Sequence, residues 1–93
     1  MTRVEKLRDR LRTELAAALV EVQDDSARHA GHAGAAGGAG HFNVVVVSDR
    51  FAGMGRVERH RAVYAAAGDM IPHEIHALSA RAYTRDEWER LPR

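Results

Sequence analysis

The chain has no cysteine, so it can form no disulfide and no metal centre built on its own thiolates. Long apolar runs are also missing, and no stretch approaches the length needed to cross a bilayer. The opening MTRVEKLR is charged and lacks the apolar segment of an export signal, which makes the cytoplasm the expected location. Neither charge is in excess: 14 basic residues face 13 acidic ones, a formal net charge of +1. Nucleic-acid-binding domains usually carry a strong basic surplus, because phosphate neutralisation supplies most of their affinity. A globally basic surface is therefore excluded, and only a local patch remains open. There is no Ser-His-Asp order, no phosphate-binding glycine loop and no complete metal-ligand set, so an enzyme is not expected. No internal repeat is visible, and 93 residues allow one domain with one modest core.

The elements that are present read in order. Val4, Leu7, Leu11 and Leu15 recur at spacings of three and four, predicting a helix from Thr2 to about Leu19. Thr2 and Glu5 form a capping-box pair at its start, and the charged residues on its other faces read as a solvated surface. LVEVQDD alternates apolar and polar residues and predicts a short strand. Asp25 to Gly40 then holds five glycines and six alanines without periodicity, a flexible loop longer than most connections in a compact domain. HFNVVVVSD is rich in β-branched residues and apolar on both faces, the pattern of a central strand. After the turn AGMG, a helix from Arg56 to Ala67 stops at Gly68. Beyond Pro72, EIHALSARAY is a third strand, and Thr84 with Glu87 starts a short last helix carrying Trp88 and Leu91. A hairpin followed by a crossover helix implies an α+β fold, with order αββαβα and helices on one face of a mixed sheet.

Two stretches invite a functional reading. The first is RFAGMGRVERHRAVY, whose Arg-His-Arg could hold nucleic acid, bind a metal or brace the fold. On a helix, residues two apart point to nearly opposite sides, so Arg59 and Arg61 cannot grip one phosphate. Val57, His60, Tyr64 and Ala67 share a stripe, which predicts that His60 and Tyr64 face the core as structural residues. Arg56 and Arg59, one turn apart, would form a basic edge with Arg50. The second stretch is SARHAGHAGAAGGAGHF. His29 and His32 make a His-x-x-His pair, half of a zinc site, but two nitrogens do not close a tetrahedron. His41 starts the second strand, and His73 and His76 flank the start of the third. Imidazole can replace some of the thiolates of an iron–sulfur cluster, as in Rieske centres, so a site completed by a partner's sulfur is permitted.

Taken together, HFNVVVVSDRFAG, RHRAVY, IHAL and YTRDEWERL resemble the BolA-like family across nearly the whole chain. The resemblance implies a single αββαβα domain with a three-stranded mixed sheet, similar to the type II KH domain. It also implies an adaptor that pairs with a monothiol glutaredoxin around a shared [2Fe–2S] cluster. The glutaredoxin would bring its cysteine and a glutathione thiol, and this chain would bring two histidines. One is His76 from IHAL. The other falls in the motif S-x-x-H-A of the His-type branch, which maps onto His29, with His32 as the alternative. Two neutral imidazoles on one iron would raise the potential, and protonation below about pH 6.5 would compete with the metal. Some family members are described as DNA-binding transcriptional regulators of cell shape and stress response, which makes DNA the alternative partner, through Arg50, Arg56 and Arg59. The isolated chain is expected to be a monomer or a weak dimer with no membrane partner.

Overall fold

The structure, a computed structural model, describes residues 1–26 and 40–92. Helix α1 (Arg3–Glu14) starts as its sequence predicts. The Thr2 hydroxyl accepts the Glu5 N–H at 3.1 Å, and the Glu5 carboxylate accepts the Thr2 N–H at 3.2 Å, satisfying two otherwise orphaned donors. Leu7, Leu11 and Leu15 are buried along one face. The helix stops five residues short of the expected Leu19. Ala16 turns to φ +47°, and the Ala18 N–H bonds the Val47 carbonyl at 2.7 Å, so Leu19 already belongs to strand β1 (Leu19–Asp24). No glycine announces that reversal, which is why periodicity overran it.

Strand β2 (Gly40–Val47) is central, antiparallel to β1 and parallel to β3 (Ile75–Tyr83), giving the sheet order β1-β2-β3. Phe42, Val44 and Val46 are buried in one core with the α1 leucines, Leu78 and Val63. At roughly 1.5–3 kcal/mol for each large side chain removed from water, this face dominates the stability. A 3₁₀ turn (Asp49–Phe51) follows β2, then α2 (Arg56–Ala67), a short irregular α3 (Met70–His73) and, after β3, α4 (Arg85–Arg90). Gly68 ends α2 at φ +60°, a region that strains any residue with a Cβ. The Ile71–Pro72 peptide is cis. The α+β architecture and its αββαβα order thus stand, with the 3₁₀ turn and α3 as additions. None of the described helices is long and apolar enough to cross a membrane.

Ser48 is a joint between these pieces. It is 1% exposed, and its hydroxyl donates to the Leu15 carbonyl at 2.6 Å while accepting the Arg50 N–H at 3.1 Å. Ser48→Ala strands a buried carbonyl at the end of α1 and an N–H of the turn, at about 1–3 kcal/mol. For a domain of this size each kcal/mol corresponds to about 4–8 °C, so the unfolding midpoint should fall by roughly 5–20 °C in a thermal melt. An unchanged midpoint would contradict the joint.

Three expectations need correction. The polar side of α1 is not simply solvated. Lys6 Nζ lies 2.7 Å from Glu74 Oε2, Arg3 donates to the Glu74 carbonyl at 3.1 Å, and Arg10 donates to the Ala67 carbonyl at 2.9 Å and to Asp69. The last contact places a cation at the C-terminus of α2, where the helix dipole favours it, and holds the Asp69 carboxyl below its usual range.

The second correction concerns α2. Its buried side is Val63, Ala66 and Ala67, whereas Val57 is 62% exposed, His60 is exposed and Tyr64 is 36% exposed. The helix is rotated by about one residue from the predicted stripe, because small alanines allow close approach to α1 and the sheet. His60 instead lies against Tyr64 at the surface, ring centroids 4.7 Å apart, and Tyr64 reaches back to donate its hydroxyl to the Leu78 carbonyl at 2.9 Å.

The third correction is Arg59. Its side chain is only 16% exposed. Nε donates to the Met54 carbonyl at 2.9 Å, Nη1 to the Ala82 carbonyl at 3.2 Å, and the fork grips both oxygens of Glu87. In the Arg-His-Arg sequence the brace is the first arginine, not the histidine.

Glu87 is also the capping residue of α4, accepting the Thr84 N–H at 2.8 Å. Arg59 first, then the Thr84 N–H, hold its carboxyl down from 4.5 to about 2. A depressed folded pKa stabilises fully above the unfolded value and ceases to do so as pH falls through the folded one. The difference in midpoint between the wild type and Glu87→Gln should therefore be largest above about pH 5 and shrink toward about pH 2. A difference that does not vary with pH would contradict the pairing.

Candidate functional site

His41 and His76 lie at one end of the sheet, next to the described ends of the β1–β2 hairpin. β1 runs on past Asp24: the Asp25 N–H bonds the His41 carbonyl at 2.8 Å, and the His41 N–H donates to Ser26 Oγ at 3.2 Å. The Asp25 carboxylate accepts the Asn43 amide at 2.6 Å. Ser26, through its side chain and its N–H, holds Asp24 below the ordinary carboxylate range. Gly40 is needed here, since a Cβ at that position would press into Ser26 and to 2.8 Å from the Phe42 ring. The outer residues of the predicted loop, Asp25, Ser26 and Gly40, are thus part of the hairpin. His29 and His32 lie outside the described residues.

β3 meets this end with an irregularity. Gly40 pairs with Ile75 but His41 with Ala77, so His76 is an extra residue with no opposite number on β2. Such bulges re-aim a side chain. His76 is exposed, and its ring lies 5.2 Å from that of His41, tilted by 44°. Its backbone is held firmly on both sides. Ile75 is fully buried, Leu78 is 4% exposed, and Glu74 is clamped by Arg3 and Lys6. A fixed backbone carrying an exposed imidazole suits a ligand offered to another molecule, since little order has to be gained on binding. Spacing alone did not single out His41, because its nearness to His76 depends on the parallel register and the bulge. His73, on α3, is exposed.

Among the described residues no cluster of three or more histidine, cysteine or acidic side chains is placed to hold a metal. The donor chemistry nevertheless fits an iron–sulfur cluster shared with a second protein. His76 is an exposed imidazole, and in a chain without cysteine every thiolate would have to come from the partner.

The three arginines expected to form a basic edge are not equivalent. Arg50 Nη1 donates to the Glu14 carbonyl at 2.7 Å and caps α1, and Arg59 is engaged as described. Arg56 is exposed and makes no ion pair among the described residues.

The fold and site define a small α+β domain, a three-stranded mixed sheet that presents a histidine on a bulge of its edge strand. Residues 11–87 match the family model described as BolA-like protein. The chain belongs to the BolA-like family. It is 39% identical over 87 residues to the DNA-binding transcriptional regulator BolA of Escherichia coli (strain K12), an alignment covering 94% of this chain and 80% of that protein. It is 42% identical over 87 residues to the SufE-like protein 1, chloroplastic/mitochondrial, of Arabidopsis thaliana, of which it spans only 24%. The solved BolA domain of SufE1 from Arabidopsis thaliana superposes with a TM-score of 0.81 at 39% identity, covering 94% of this chain and 96% of that one. These relatives are named as a regulator, a SufE-like protein and a BolA domain.

Proposed function

We propose that this chain is a non-enzymatic adaptor that pairs with a monothiol glutaredoxin and shares a [2Fe–2S] cluster with it, in iron–sulfur handling and redox regulation. The observation that carries this reading is His76: an exposed imidazole on a bulge, its backbone anchored by Ile75 and Leu78, beside His41. The sequence between Ser26 and Gly40 contains His29, the second ligand in this proposal, with His32 as the alternative. The cluster would supply electron-transfer and iron-storing chemistry, and the glutaredoxin its cysteine and glutathione thiols. This chain's part is to offer neutral imidazole nitrogens, to orient them from a rigid strand and to exchange one type of cluster ligand for another. The test is to titrate the protein into a cluster-loaded monothiol glutaredoxin and record visible circular dichroism. A new spectrum saturating at one chain per glutaredoxin subunit is expected; an unaltered spectrum would refute the pairing.

A second reading, DNA binding, is favoured by the name of the Escherichia coli relative. Arg56 supports it, but the engagement of Arg50 and Arg59 and the net charge of +1 weigh against a strong phosphate-binding surface.

A further inference from the structure

Away from the histidine end, β3 is an edge strand. The Ser48 N–H bonds the Tyr83 carbonyl, so Tyr83 turns its backbone toward β2. Residues of the opposite parity, Leu78, Ala80 and Ala82, therefore turn their N–H and C=O outward. Two of those carbonyls are covered: Leu78 by the Tyr64 hydroxyl and Ala82 by Arg59. Between the two covers, the outward N–H and C=O of Ala80 face a groove of about 420 Å³ between β3 and the start of α2. An unprotected edge of this kind is a template for another strand, and proteins usually blunt it. Here the side chains flanking the groove are Arg56, Arg81 and His60, and neither Arg56 nor Arg81 enters an ion pair among the described residues. The covers at Leu78 and Ala82 leave the middle open rather than closing it.

We propose that the outer edge of β3 accepts an acidic peptide in extended form, which pairs its backbone with Ala80 as a fourth strand. Addition of a strand draws affinity from backbone hydrogen bonds and specificity from alternate side chains. A peptide strand has a side-chain period of two, so acidic residues at alternate positions would meet Arg81 on the sheet's open face and Arg56 at its margin. A nucleobase edge could also meet the N–H and C=O of Ala80, but a net charge of +1 offers little to a phosphate backbone, which is why a peptide is favoured. The surface is separate from His41 and His76, so its fate does not depend on the cluster proposal.

The experiment is an NMR titration of the full ¹⁵N-labelled chain with the peptide Ac-Glu-Val-Glu-Val-Glu-amide. The amide of Ala80 should shift and gain protection from hydrogen exchange, while amides of β1 stay unmoved. Arg56→Glu with Arg81→Glu, both at exposed positions, should weaken binding at least tenfold with an unchanged thermal midpoint. The same peptide N-methylated at its central glutamate and at the valine that follows it should fail to bind the wild type, which tests the backbone pairing without altering the protein. Equal binding of the N-methylated peptide, shifts confined to other surfaces, or binding by the double variant as tight as by the wild type would overturn the proposal. So would a single-stranded oligonucleotide that shifts Ala80 where the peptide does not.

Discussion

Arg59→Ala is expected to lower the midpoint of thermal unfolding by roughly 10–20 °C, more than any other surface-sited substitution in this chain. The guanidinium joins three separate pieces of chain. It bonds the Met54 carbonyl in the turn before α2, the Ala82 carbonyl on the edge of β3, and the carboxylate of Glu87 in α4. It also lies 6.0 Å from the centroid of the buried Phe51 ring. Truncation leaves two carbonyls without their charged donor and uncovers the ring, an effect of about 2–3 kcal/mol. Lysine keeps the charge but cannot reproduce a planar fork that serves several acceptors, so Arg59→Lys should recover less than half of the loss. Arg56→Ala, one turn earlier and exposed, should change stability by no more than about 0.5 kcal/mol. Equal effects at 56 and 59 in parallel thermal melts would remove Arg59 from its bracing role.

The second large effect falls on function rather than folding. His76→Ala should abolish the spectral change that the wild type induces in a cluster-loaded monothiol glutaredoxin, while leaving the thermal midpoint nearly unchanged because the ring is exposed. Loss of a residue that merely supports a ligand typically weakens a metal site by about 10–100-fold, so loss of a ligand should exceed that range. His41→Ala should fall within that supporting range, since its ring neighbours His76. His29→Ala and His32→Ala, tested separately, identify the loop ligand: one should resemble His76→Ala and the other the wild type. A full spectral response from His76→Ala would sink the assignment.

Much of the architecture is legible in local signals. The pairs Thr2–Glu5 and Thr84–Glu87, the β-branched run before Ser48 and Gly68 locate helix starts, the central strand and a helix end, because caps and turns act within a few residues. Local patterns do not settle which side of an element faces inward. Counting large residues puts Val57, His60 and Tyr64 inside, whereas packing against α1 selects the small face of Val63, Ala66 and Ala67. The alanines at 62, 66 and 67 were the available signal, and they place Arg59 on the same side, near the sheet. The site was legible only in part. His76 stands out through its motif, but its exposure and its neighbour His41 arise from a bulge in a parallel pairing between residues 35 positions apart, which no local pattern encodes. The engagement of Arg50 with the end of α1 is hidden for the same reason.

In the proposed complex this chain gives imidazole nitrogen to an iron held jointly with a glutaredoxin. The most direct measurement is pulsed electron paramagnetic resonance on the reduced mixed complex, prepared with ¹⁵N-histidine in this chain only. Strong ¹⁵N couplings that lose one component in His76→Ala are the predicted result. A spectrum with no directly bonded histidine nitrogen, identical to that of the glutaredoxin alone, would contradict it.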